Sequence, residues 1–287
     1  MRHVILLSGK DSLATALIQT TRHPEFFYEF IFNDVEAELP ETYAWLDRVE
    51  AKTGWKITRV GKSLLDLIES YGGFLPGPRS RYCTRETKIQ PLEEYLGKDE
   101  CTVYYGLRAD EIRTGYVPLG KSNIIPAYPL RDAGIDLRGV YAILDAQGLS
   151  PPDFFWQRMY DAVAERLKTW PEWEDRISRM ERRVLFSGRS RANCFQCFFQ
   201  AQYEFLWLYE AHPTLFARAE AMEKAEYSFQ SGFFLRELHN VEKRRRIFNR
   251  RVSDVCEYIM AKFQASLFPM VVDNELAMTS CGLLCGK

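Results

Sequence analysis

A short segment near the N-terminus has the residue types that bind phosphate. An apolar run that starts at Val4 leads into Ser8, Gly9, Lys10, Asp11 and Ser12. The pattern predicts a strand, a tight turn and a helix, whose first N–H groups face outward without intrahelical acceptors. The hydroxyls and the ammonium suit phosphate oxygens, and the carboxylate suits Mg²⁺. The segment is neither a Walker A loop nor Gly-x-Gly-x-x-Gly, and the alternative is an ordinary strand–turn–helix corner.

Composition sets limits on the class of protein. The chain has 287 residues, 46% of them hydrophobic, and a net charge of −1, so no bulk charge attracts nucleic acid. We find no apolar segment long enough for a membrane span and no signal-peptide pattern, and we expect a cytoplasmic protein without membrane contact. In a reducing compartment, seven cysteines indicate metal binding or catalysis rather than disulfides.

Alternating strand and helix patterns occupy residues 1–150. They predict an α/β fold with a doubly wound, mostly parallel sheet, and ligands bind such sheets at the carboxyl ends of the strands. The predicted strands are 4–7, 26–32, 55–60, 102–107 and 123–127, and the predicted helices are 12–20, 39–53, 63–71, 84–96 and 137–147. Residues 151–287 have mainly helical patterns, such as 198–211, 214–224 and 252–268. We predict a nucleotide-binding domain over 1–150 and a helical domain over 151–287.

The cysteines leave three interpretations open. Cys194 and Cys197 form a Cys-x-x-Cys pair, Cys83 precedes a predicted helix, and Cys281 and Cys285 lie in the tail. The pair fits a redox dithiol poorly, because it does not follow a strand in a βαβ unit. Structural zinc and an iron–sulfur cluster each need four ligands, and enough thiols exist for either.

Four motifs together resemble the phosphoadenosine-phosphosulfate-reductase-like branch of the PP-loop superfamily. The first loop resembles Ser-Gly-Gly-x-Asp-Ser with one glycine missing. Residues 82–92 resemble Cys-Cys-x-x-x-Lys-x-x-Pro-Leu, with Tyr82-Cys83 at the cysteine pair. Residues 105–113 resemble Gly-x-Arg-Ala-Asp-Glu-x-x-Arg, and the Cys-x-x-Cys also matches. The resemblance implies a [4Fe–4S] cluster held by Cys83, Cys194, Cys197 and either Cys281 or Cys285.

Residues 189–200 resemble the ATP pyrophosphatase/sulfurtransferase components of DNA phosphorothioation systems more closely. This resemblance implies ATP and Mg²⁺ as cofactors, a cysteine desulfurase as sulfur donor, other subunits of a modification complex, and DNA as acceptor. In this hypothesis Lys10, Arg108 and Arg113 bind phosphate, and Asp11 and Asp34 hold Mg²⁺. The alternatives are ion pairs of the two arginines with nearby carboxylates, and a plain turn at Asp34.

Other functions are compatible with the same motifs. In a sulfonucleotide reductase, Cys281 or Cys285 would attack the sulfur of the nucleotide, although the tail lacks the family's Glu-Cys-Gly-Leu-His. A third hypothesis is a non-catalytic subunit that binds nucleotide and cluster. The basic run at 243–251 suits either a nucleic-acid patch or a solvated helix face.

Overall fold

The computed structural model describes residues 1–116, 120–170, 172–224 and 227–267. The described chain contains a five-stranded, all-parallel sheet in the order β3-β2-β1-β4-β5. The strands are β1 Arg2–Leu6, β2 Tyr28–Asn33, β3 Ile57–Val60, β4 Cys101–Tyr104 and β5 Ile124–Ala127. With helices on both of its faces, the sheet confirms the predicted α/β class.

The strands alternate with helices along the chain. The first helices are α1 Lys10–Arg22, α2 Pro40–Thr53, α3 Leu64–Ser70, α4 Tyr82–Thr84, α5 Gln90–Leu96, α6 Pro129–Asp132 and α7 Leu137–Ala146. The later ones are α8 Gln157–Arg166, α9 Arg179–Leu185, α10 Gln202–Ala211, α11 Pro213–Met222 and α12 Val241–Leu267. Short 3₁₀ turns cover Trp173–Arg176 and Leu235–His239.

Side chains of the central strand point alternately into two apolar layers. Ile5 packs in one layer with residues of α1, α2 and α7, including Leu13, Trp45 and Val140. Val4 packs in the other layer, which contains residues of α5 such as Leu92. Because successive strand residues face opposite sides, the buried apolar residues Val4, Ile5 and Leu6 of β1 need helices on both faces. This packing makes the sheet doubly wound.

The chain divides into two compact units. The first is Met1–Pro152 with Arg191–Cys194, and the second is Asp153–Ser190 with the described residues from Phe195 onward. In the second unit, the Glu181 carboxylate accepts hydrogen bonds from Ser178 and Tyr258 and pairs with Lys262. Burial raises the pKa of Glu181, but these donors outweigh it and hold the pKa at about 2.

Some element bounds differ from those predicted. Helical structure begins at Tyr82 rather than Thr84 and contains a π-helical segment, Arg85–Ile89. Pro91 lies two residues after the end of this segment, in the first turn of α5, and because proline has no N–H it cannot donate the regular helical hydrogen bond. Helix α12 starts at Val241, earlier than predicted. No described helix combines the length and the apolar character needed to cross a membrane.

Candidate functional site

The loop after β1 and the segment after β4 lie at the same edge of the sheet, because the two strands pair in parallel. From β1 the chain builds β2 and β3 on one side and then crosses to β4 and β5 on the other. The strand order therefore reverses between β1 and β4. Open α/β sheets bind ligands at the carboxyl ends of strands at such a reversal. The predicted phosphate loop, Ser8 to Ser12, lies at this position.

Ser12 fixes the shape of this loop. Its Oγ accepts the N–H groups of Ser8 at 2.8 Å and Gly9 at 3.0 Å, and donates to the Gly9 carbonyl at 2.9 Å. Because the hydroxyl has a single proton, a phosphate could receive it only if the bond to Gly9 broke. The N–H groups of the first turn of α1 remain to face a ligand. Direct phosphate binding by Ser12 stays a prediction.

Two glycines at the site have opposite surroundings. A Cβ built on Gly9 would meet no atom within 4 Å, and its backbone is extended. A Cβ on Gly106 would lie 2.5 Å from the Ser12 nitrogen and 2.6 Å from the Asp11 carbonyl carbon. Gly106 is therefore needed for the close approach of the β4 segment to α1. The space beside Gly9 is open, and a ligand can approach the backbone there.

Arg108 connects the two segments of the site. Its Nη1 lies 3.2 Å from both carboxylate oxygens of Asp11, and its Nε and Nη2 bind Asp110 at 2.8 and 3.2 Å. The residue is only 4% exposed. Burial lowers the pKa of the guanidinium, but the carboxylates, Asp11 first, outweigh it and raise the pKa above its usual value. Asp11 also lies 3.4 Å from the Lys10 ammonium.

Arg113 is paired as well. Its Nη2 lies 3.2 and 3.1 Å from the Glu111 carboxylate oxygens, and Glu111 also accepts the Arg108 N–H at 3.1 Å. Arg131 donates to the backbone carbonyls of Glu111 and Arg113. The ion pairs expected as the alternative to phosphate binding are thus present. Carboxylates bind Arg108 at Nε, Nη1 and Nη2 but bind Arg113 only at Nη2, and the buried Arg113 Nε has no partner in the described part of the chain. The phosphate role of Arg108 and Arg113 stays a prediction.

Asp34 shapes the loop that follows β2. Its Oδ1 accepts the Glu36 N–H at 2.9 Å and the Tyr43 hydroxyl at 2.8 Å, while Oδ2 lies 3.6 Å from Arg59 Nη1. Burial, with the hydrogen bond to Asp34 second, raises the pKa of Tyr43, so the hydroxyl stays a donor. These contacts are typical of a turn residue, which was the alternative to Mg²⁺ binding in the sequence analysis. Mg²⁺ binding by Asp34 stays a prediction.

Asn33 is a residue that sequence reasoning missed. It is 3% exposed, and neither atom of its side-chain amide has a partner in the described part of the chain. A buried amide without partners is unusual and indicates a water or ligand at that place. The signal in the sequence was an amide as the last residue of the apolar strand β2, at the ligand-binding edge of the sheet.

This arrangement can do phosphate chemistry. The open face beside Gly9 adjoins the first turn of α1, where unpaired N–H groups and the helix dipole favour an anion. Asp11, whose side chain is 17% exposed, can exchange its cationic partners for a metal ion brought by a nucleotide. Lys10 and Arg108 can then neutralise charge on phosphate oxygens.

Three of the predicted cluster cysteines lie in the part of the chain that the structure describes. Cys83 and Cys197 are half-buried and Cys194 is buried. Within the described residues no three His, Cys, Asp or Glu side chains come together as a metal site. Cys281 and Cys285 lie outside the described residues. The described thiols alone therefore do not fit a four-thiolate cluster, and the ligand set stays a prediction.

One detail of the cluster motif needs correction. Counted back from Lys88, the second cysteine of Cys-Cys-x-x-x-Lys falls on Thr84, so Tyr82 is not the replaced position. The Thr84 Oγ1 lies 4.0 Å from the Cys83 sulfur. Whether Tyr82 or Thr84 is aligned with a cysteine of the family pattern, one cysteine ligand of that pattern is missing.

The residues around the Cys-x-x-Cys pair have structural contacts. Arg189 is 2% exposed and donates to Gln200 Oε1 at 2.8 Å, and Gln200 in turn donates to the Phe195 carbonyl at 2.9 Å. Ser190 donates to Glu204 at the start of α10. The segment is thus fixed through buried polar side chains.

Part of the basic run at 243–251 is also used within the fold. Lys243 pairs with Glu237, Arg244 donates to the Leu238 carbonyl, and Arg251 donates to the Leu185 carbonyl. Arg246 and Arg250 are exposed on α12. These contacts favour a structural helix face over a continuous nucleic-acid patch.

The geometry defines a doubly wound, all-parallel α/β domain with a candidate phosphate-binding loop at the reversal of its strand order. Residues 2–116 match the family model described as the phosphoadenosine phosphosulfate reductase domain. This part of the chain is therefore similar to that family, as the motifs predicted. The match does not distinguish ATP from a sulfonucleotide as substrate.

Part of the chain is also similar to a solved structure. The chain is similar to the phosphoadenylyl-sulfate (PAPS) reductase from Candida auris in its phosphate complex, with 18% identity and a TM-score of 0.42. The match covers 53% of this chain and 76% of the other. No curated protein matches the chain.

Proposed function

We propose that this protein is a PP-loop ATP pyrophosphatase that activates an acceptor for sulfur transfer to nucleic acid, most specifically DNA phosphorothioate modification. One observation supports it above the others: the open face beside Gly9 lies at the reversal of strand order, next to Asp11 and Arg108. A Cβ-sized group beside Gly9 meets no atom within 4 Å, so a phosphate oxygen can approach the backbone there.

The chemistry has two steps. An acceptor oxygen attacks the α-phosphorus of ATP, and pyrophosphate leaves as its Mg²⁺ complex. The terminal sulfur of a cysteine desulfurase persulfide then attacks the acceptor phosphorus that carries AMP, and AMP leaves. A further thiol attacks the desulfurase sulfur of the resulting sulfur–sulfur bond, which leaves the transferred sulfur on phosphorus and joins the thiol to the desulfurase cysteine as a disulfide. In the first step the contribution of the protein is positioning and charge neutralisation by Lys10, Asp11 and Arg108.

Pyrophosphate release from Mg·ATP tests this proposal. We expect the full-length protein to release pyrophosphate, and Asp11→Asn to lose most of that activity, because the neutral amide cannot hold the metal. Asp254→Asn is the matched control, since Asp254 is an exposed aspartate on α12 in the other unit. Equal pyrophosphate output from the wild type and Asp11→Asn would contradict the proposal.

The family match favours a second candidate, a thiol-dependent sulfonucleotide reductase. There a thiolate, Cys281 or Cys285, displaces the nucleotide from sulfur and forms S-sulfocysteine, and an external dithiol then releases sulfite and becomes a disulfide. Incubation with PAPS or APS and reduced thioredoxin tests it. Sulfite release that disappears in the double variant Cys281→Ser/Cys285→Ser would establish the reductase. No sulfite from PAPS or APS, together with pyrophosphate release in the separate Mg·ATP assay, would exclude it.

For both candidate functions the iron–sulfur cluster is a proposal. Neither of the two reactions described above uses the cluster in any step. If it forms, Cys83, Cys194, Cys197 and one tail cysteine would hold it. The cysteine desulfurase and further subunits of a modification complex are proposals of the same kind.

A further inference from the structure

A groove with basic and aromatic side chains lies within the first unit. Its lining residues come from the stretch of sequence that runs from the end of α3 into the π-helical segment. Its volume is about 630 Å³. The side chains that define it are Tyr71, Phe74, Arg79, Arg81, Tyr82 and Arg85. We refer to it as the arginine–tyrosine groove. None of these residues belongs to the predicted nucleotide site or to the predicted cluster ligands. Tyr82 is only the sequence neighbour of Cys83.

The rings of this groove are exposed but held in place. Tyr71 is 46% and Phe74 is 45% exposed. The Tyr71 ring lies 4.6 Å from that of Tyr82, and Phe74 stacks on Tyr82 at 6.2 Å. Tyr71 donates to Glu86 at 2.7 Å, and Tyr82 donates to the Phe74 carbonyl. Hydrogen bonds at the hydroxyls therefore orient rings that remain open to stacking.

The charge of the groove is positive. Arg79 occupies the tip of a two-residue turn closed by both hydrogen bonds between Gly77 and Ser80, each 3.1 Å. Arg79 and Arg85 are exposed, and neither has an ion-pair partner among the residues that the structure describes. Glu86 is the single acidic side chain of the lining, against three arginines. The groove thus presents cations to an anionic partner.

We propose that the arginine–tyrosine groove binds single-stranded nucleic acid. Unpaired bases stack on exposed rings whatever their sequence, and guanidinium groups bind the phosphates between them. A duplex hides its base faces, and an acidic peptide supplies charge without flat rings, so neither uses both features. The strand would be the acceptor of the sulfur transfer only if the proposed function holds, but the binding itself does not depend on ATP.

Fluorescence anisotropy with the full-length protein tests the groove. The probes are labelled single-stranded DNA and RNA of about ten nucleotides, titrated over a series of salt concentrations without ATP. Loss of two phosphate contacts in Arg79→Ala/Arg85→Ala should reduce the slope of log affinity against log salt by about 1.4. Tyr71→Leu and Phe74→Leu should each weaken binding about tenfold or more, because stacking is lost.

Two further variants separate the groove from general surface charge. Lys56→Ala/Lys98→Ala removes two exposed cations elsewhere on the first unit and should leave the affinity unchanged. Arg246→Ala/Arg250→Ala removes two exposed cations of α12 and should also have no effect. Binding lost in the α12 variant but kept in the groove variants would overturn the proposal, as would equal affinity for a duplex or for polyglutamate.

Two results on the wild type distinguish this proposal from the proposed function. A protein that binds the oligonucleotide but releases no pyrophosphate from ATP would refute the ATP pyrophosphatase and support the groove. A protein that releases pyrophosphate but binds no oligonucleotide would refute the groove alone.

Discussion

Gly106 gives the sharpest test of the site geometry. In Gly106→Ala the new methyl group would lie 2.5 Å from the Ser12 nitrogen and 2.8 Å from its Cα. Ordinary contact would require a shift of about 0.9 Å. The first turn of α1 cannot shift without stretching the Arg108–Asp11 pair or the Ser12 hydrogen bonds. Overpacking of this kind costs about 1–3 kcal/mol.

The assay is thermal unfolding followed by pyrophosphate release. A loss of about 1–3 kcal/mol in a domain of this size should lower the Tm by about 2–12 °C, and a displaced loop should reduce the activity about 100-fold. Gly9→Ala is the matched control, because a Cβ there meets no atom within 4 Å. It should cost no more than about 1 kcal/mol and yet weaken ATP binding. A Gly106→Ala protein with wild-type stability would refute the close approach.

Three further predictions concern other contacts. Arg108→Lys should destabilise the protein by at least about 2 kcal/mol in urea unfolding, since lysine cannot bridge Asp11 and Asp110 together; an unchanged midpoint would contradict this. The lowered pKa of Glu181 contributes stability above pH 4.5 that is lost as the pH falls towards about 2, so Glu181→Gln should flatten that acid limb of the stability curve. Finally, anaerobically purified protein should contain iron and sulfide with a brown chromophore that Cys83→Ala removes; retention of the colour, with Cys101→Ala as control, would exclude Cys83 as a ligand.

The α/β class was predictable because local patterns determine it. The apolar β1, the proline at the start of α2 and the Ser63 cap of α3, which accepts the Asp66 N–H at 3.3 Å, act within a few residues. The position of the loop at the carboxyl end of a strand followed from the general rule for parallel sheets. The strand order was not predicted, because it depends on pairing between distant segments.

The site contacts were less predictable because they join distant segments. Nothing local shows that Arg108 meets Asp11, or that the Ser12 hydroxyl is used inside its own loop. The arginine–tyrosine groove was missed for a related reason: Tyr71 and Tyr82 are eleven positions apart and share no period of a helix or strand. The early start of α12 was missed because its first turns are too basic to show an apolar period.

The contact between Arg108 and Asp11 spans 97 residues of sequence. During synthesis the phosphate loop leaves the ribosome long before its partner, and it cannot be completed until β4 has been made and has paired with β1. Long-range pairing of this kind is slow to form. A nascent chain is therefore expected to complete this loop abruptly, only after about the first third of the protein and its parallel sheet have emerged.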